Sequence, residues 1–139
     1  MRSDVITRDG THELLVHLFT AGWCPLLACA FMQLHPDRFE LVETDEGNWH
    51  VAVVDRDGQV WDITGPRPSD VFVAQWGPYW PAIVLDPDAE AAAAAGDWYP
   101  AAKHLTTDVF GVVDRHIWHV VQGLAGDLLA VHADQETAA

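Results

Sequence analysis

Cys24, His50 and Asp62 are the residues of this chain whose types and order can do chemistry together. A thiol is a weak nucleophile until a base takes its proton, an imidazole is the usual base, and a carboxylate can hold that imidazole in the working tautomer. The chemistry is acyl transfer: attack on a carbonyl carbon, a tetrahedral oxyanion, an acyl-enzyme, then release to water or to an amine. Cys24 is followed by Pro25. Proline is tolerated in the first turn of a helix, where its missing N–H would have no partner anyway. Cys24 is therefore expected at or just before a helix N-terminus, whose free N–H groups favour a thiolate and can stabilise an oxyanion. The competing reading of Cys24 is a small buried hydrophobe.

His50 lies near the start of the run Trp49 to Asp55 (Trp-His-Val-Ala-Val-Val-Asp), rich in strand formers, and Asp62 lies inside the return run Gln59 to Thr64. A carboxylate within Val-Trp-Asp-Ile is costly unless partnered. Hairpin register decides whether His50 is that partner. A two-residue Asp57-Gly58 turn sets Asp62 opposite Val53, facing away from His50. A three-residue loop, Arg56-Asp57-Gly58, sets it opposite Ala52 and on the face of His50. Gly58 suits the left-handed residue that ends such a loop, so the second register is expected.

The elements that must carry these residues can be read around them. Residues 24–34 are apolar nearly all round and predict a central, buried helix that His35-Pro36-Asp37 stops. Cys29 lies on the same helix, about 140° around the axis from Cys24 and too far for a disulfide. Cys29 reads as core and Cys24 as the exposed member. Before them, 11–20 predicts a short helix capped by Thr11. After them, Phe39 to Thr44 alternates as a strand, 45–48 is a turn, and 49–55 pairs with 59–64. Gly65-Pro66-Arg67-Pro68 is expected to leave the sheet. Helices are predicted over 69–76, with Ser69 as cap, over 87–95 and 99–105, and over 108–131, where apolar residues recur at helical spacing. The stretch 77–81 holds too many prolines for regular structure, and a disordered tail is expected from residue 134.

The whole is an α+β domain over residues 1–139, with the Cys24 helix packed on an antiparallel sheet and further helices behind it. Seven Lys+Arg against twenty-one Asp+Glu give a formal net charge of −14. That field disfavours nucleic acid and anionic membrane as partners. No apolar stretch reaches membrane-spanning length and the first residues lack a signal-peptide core, so a cytoplasmic location is the expectation, with delivery as an effector left open. Trp23 and Trp49, the neighbours of Cys24 and His50, and Trp76 are candidate substrate-binding aromatics. Trp76, Tyr79 and Trp80 either wall a cleft or cover the sheet. His116 and His119, three apart, have a spacing that can bind zinc, but no third ligand accompanies them at a recognisable spacing, nor do His35 and Asp37 make a metal site. No cofactor is called for.

Gly22-Trp-Cys24 opening a helix, then His50-Val-Ala-Val-Val, then Gly58-Gln-Val-Trp-Asp62-Ile-Thr-Gly65, resembles the papain-like cysteine hydrolase superfamily. It is closest to the transglutaminase-like and NlpC/P60-like branches, whose order is Cys, His, then a polar residue on the next strand. It also looks like small bacterial and phage proteins of that pattern. The resemblance spans about residues 20–65. It implies a papain-like core, Cys24 as nucleophile, His50 as base, Asp62 as orienting acid and a protein, peptide or other amide as substrate. Papain carries a glutamine before its cysteine as an oxyanion donor, whereas Leu18 and Phe19 stand in that neighbourhood here. The rival is a non-catalytic binding or effector protein on the same scaffold.

Overall fold

The computed structural model describes residue 19, 23–45, 47, 49–81, 83–106 and 113–138, with backbone alone beyond 133. The predicted helix over 11–20 lies outside the described residues apart from Phe19, as do Gly22 and the start of the predicted C-terminal helix.

Helix α1 runs Cys24–Leu34, with Pro25 in its first turn, and every residue from Cys24 to Met32 is buried. Such a helix needs neighbours on all sides. It has the sheet on one flank and, on the other, α4 (Tyr99–Leu105) and α5 (Arg115–Ala138), with α3 (Pro87–Ala94) packed on α4. The sheet is antiparallel throughout, in the order β4-β3-β2-β1-β5. Its strands are β1 (Phe39–Thr44), β2 (Val51–Asp55), β3 (Gln59–Asp62), β4 (Gly65–Pro68) and β5 (Tyr79–Trp80). Alternation divides the side chains between two faces. Phe39, Leu41, Val51, Val53 and Trp61 join the α1 core. Val42, Ala52 and Val60 form a second cluster with Phe72 of α2 (Ser69–Trp76) on the other side.

Four expectations fail here. Gly65 to Pro68 does not leave the sheet: it turns back as β4, with Val60 opposite Arg67. Its two prolines are compatible with a strand because β4 is an edge. Tyr79 and Trp80 pair with Thr44 and Glu43 in spite of the flanking prolines, making β5. The C-terminal helix continues to Ala138, past the expected tail. Ser69 is not the cap of α2: Pro68 holds that place, and the Ser69 hydroxyl bonds the Tyr79 hydroxyl at 2.8 Å.

The hairpin register follows the three-residue loop. Val53 faces Trp61 and Val54 faces Val60, which continues to Ala52 opposite Asp62. Gly58 has φ +82°, as the loop's last position demands. Asp55 pins the loop: one carboxylate oxygen accepts the N–H groups of Asp57 and Gln59, and the other accepts the Trp61 indole N–H at 2.9 Å.

Candidate functional site

Asp62 and His50 are bonded. Facing a carboxylate, the imidazole donates from Nε2, which lies 3.0 Å from Asp62 Oδ2, and both residues are buried. The same Oδ2 accepts from Arg67 Nη2 at 3.0 Å, while Oδ1 accepts the backbone N–H of Thr64 at 2.9 Å and its hydroxyl. Burial alone would push the Asp62 carboxyl up. The hydrogen bonds from His50 and Thr64, with the charges of His50 and Arg67, outweigh it and hold the group below its ordinary value.

The imidazole is sandwiched as well as bonded. The Trp76 ring lies 4.0 Å from it, only 13° from parallel, and Phe72 lies beyond at 5.9 Å. Its second nitrogen, Nδ1, is buried and makes no hydrogen bond.

Cys24 reaches the same end of the hairpin from the other direction. The β2–β3 ladder is paired at Val53 and Val54, and Val51 lies just beyond its end. There the Val51 N–H donates to Cys24 Sγ at 3.4 Å. The sulfur thus rests on the residue that follows His50, close enough to Asp62 for that carboxylate to act on its ionisation. Cys24 does not hydrogen-bond to His50.

Cys24 is not the exposed cysteine that its position suggested. It is 3% exposed, within the apolar cluster that holds Phe19 and Val51 and that Trp23 and Trp49 pack against. A helix apolar on all sides is sealed at its first turn too. Burial pushes the thiol up to about 11; the Val51 N–H and its own backbone N–H oppose this, and the Asp62 charge adds to it. The dipole advantage of a helix start is real but smaller than the loss of water. Cys29 is wholly buried, and its thiol is pushed higher still.

The other candidates are distributed as follows. Trp49 donates its indole N–H to Glu43 at 3.0 Å, and Trp23 stands edge-on to Phe19. Trp76 covers His50. His116 and His119 stand exposed on α5, and among the described residues no group of three potential ligands gathers. His104 pairs with Asp86 at 3.2 Å. Sequence reasoning missed Arg67. The signal available was one arginine between two prolines, directly after a strand bearing a buried acid. Compared with family models, curated proteins and solved structures, the chain finds no match.

Proposed function

We propose that this protein performs thiol-dependent acyl chemistry on an amide or isopeptide bond, with Cys24 as nucleophile, His50 as general base and Asp62 as the acid that orients it. The observation that carries this reading is a buried His50–Asp62 bond just beyond the β2–β3 ladder, where Cys24 Sγ accepts the Val51 N–H. Asp62 takes Nε2 and leaves Nδ1 unbonded, so Nδ1 is the nitrogen that the thiol would have to reach.

With the thiol held at about 11, little thiolate stands ready at neutral pH. The proton must therefore move to His50 as the sulfur attacks, which is general-base rather than ion-pair activation. A sulfur–carbon bond forms, and the carbonyl electrons pass to oxygen. Collapse of the oxyanion breaks the carbon–nitrogen bond as His50 returns its proton to the departing amine. Water or a second amine then takes the acyl group from the thioester. The α+β layout, with a cysteine helix on an antiparallel sheet and the order Cys, His, Asp, supports a papain-like core of the transglutaminase-like or NlpC/P60-like kind.

The non-catalytic binding reading draws on a different observation: the thiol is buried and has no hydrogen bond to His50. A peptide acyloxymethyl ketone, which forms a thioether with a nucleophilic cysteine, separates the two. Catalysis requires labelling at Cys24 that rises with pH and falls at least about tenfold in His50→Ala. Equal rates in wild type and His50→Ala across neutral pH would leave binding as the function.

A further inference from the structure

The face of the sheet that carries α1 holds a row of three paired residues leading away from the thiol. Glu43 sits between Val51 on one side and Trp80 on the other. Directly paired residues point to one side of a sheet, and Glu43 alternates with Phe39 and Leu41 on the α1 face. Val51 is the residue whose N–H holds Cys24 Sγ. The sulfur and Glu43 thus flank one residue of β2 from opposite sides, and neighbouring strands lie only about 5 Å apart.

At this row lies a cavity of about 640 Å³, lined by Glu43, Thr44, Asp45, Trp49 and Trp80. A space of this size takes a long side chain with room to spare. Its chemistry is one-sided. Two indole rings offer electron-rich faces and two carboxylates offer negative charge, while no lysine or arginine is among the described residues that line it. The described ion pairs of the molecule involve neither Glu43 nor Asp45. The Trp49 indole, donating to Glu43, fixes one ring beside one carboxylate. Thr44, at the inner end, accepts the His50 backbone N–H at 2.8 Å, which ties the cavity wall to the base.

We infer that this cavity is a subsite for a cationic side chain, of the lysyl or arginyl class, carried by the substrate next to the bond attacked at Cys24. The inference rests on Cys24 being the nucleophile. Aromatic faces and carboxylates together bind an ammonium or guanidinium better than either does alone, and an uncharged chain of equal length gains only the apolar part.

Two measurements test the subsite and the chemistry separately. In the first, indole N–H resonances of wild type and Cys24→Ala are followed during titration with N-acetyl-lysine methylamide and with its norleucine counterpart. The lysine compound is expected to shift the Trp49 and Trp80 signals in both proteins, with affinity about tenfold above norleucine. Glu43→Gln should remove that advantage and the exposed Asp45→Asn should reduce it. Equal responses to the two compounds, or none to either, overturn the subsite. In the second, chloromethyl ketones bearing lysine or norleucine next to the reactive carbon are timed against Cys24, the lysyl probe being expected to react about tenfold faster. Indole shifts without alkylation keep the cation site and remove the acyl chemistry. Alkylation with neither lysine preference nor indole shifts does the reverse.

Discussion

Arg67 and His50 meet on a single atom: each donates to Asp62 Oδ2 at 3.0 Å. One carboxylate oxygen therefore serves a guanidinium and an imidazole at once. Arg67 is itself held by Gln75 and lies over the Phe72 ring, so the arrangement is braced from α2 as well as from the sheet.

The first expectation concerns acid. The folded Asp62 carboxyl lies below its ordinary 3.8, so its contribution to stability is complete above that value and drains away as pH falls through the folded one. Asp62→Ala is expected to cost about 3 kcal/mol at neutral pH, because it leaves a half-buried arginine and a buried imidazole without their acceptor. In urea titrations, the gap between wild type and Asp62→Asn should narrow below about pH 4. A gap that stays constant through that range would show that Asp62 is not held low in the folded state.

For the cysteines, the free thiol should be slow but selective. Cys24 at about 11, against an ordinary 9.0, carries roughly a hundredfold less thiolate near neutrality than it does in the unfolded chain. Iodoacetamide with mass mapping should modify Cys24 before Cys29, and both far faster in denaturant. Stability held by the protonated thiol is intact below 9.0 and is lost as pH rises through about 11. Modification of Cys29 first in the folded protein contradicts the assignment.

Two glycines at positive φ should respond differently to alanine. Gly58 has open space where a Cβ would go, so Gly58→Ala is expected to cost only the backbone strain, about 1 kcal/mol. At Gly65 the same Cβ would sit 2.5 Å from Nε2 of His132, so the α5 side chain must shift as well, and about 2–3 kcal/mol is expected. Equal midpoints in chemical denaturation would mean that the His132 ring gives way freely.

Trp76 is expected to guard the imidazole. Trp76→Ala removes a ring stacked 4.0 Å from His50 and should cost about 2–3 kcal/mol. It should also speed the reaction of His50 with diethyl pyrocarbonate about tenfold, since His50 is fully buried in the wild type. An unchanged rate would place the barrier to His50 elsewhere.

Much of the site was legible because local rules point one way. An all-apolar run behind a cysteine and a proline made α1, and one glycine selected the loop length that sets Asp62 on the face of His50. Local rules fell short where distant chain decides. Whether two prolines forbid a strand depends on whether that strand is an edge, which the sequence of Gly65 to Pro68 does not contain. The burial of Cys24 depends on what packs around the helix start, and helix position alone argued for exposure. Arg67 could be recognised only once β4 had turned back beside β3 and carried it to Asp62.

The two prolines of β4 have a consequence for how this molecule meets its neighbours. Asp62 and Gly65 close the tight β3–β4 hairpin, so Gly65 and Arg67 direct their backbone groups inward to β3, and Pro66 and Pro68 direct theirs outward. Neither proline has an N–H. Along this border a strand from another molecule finds carbonyl oxygens and no donors opposite its own, so sheet-to-sheet polymerisation is blocked on that side. The residues that hold the acid of the candidate site in register thus also protect the protein against aggregation.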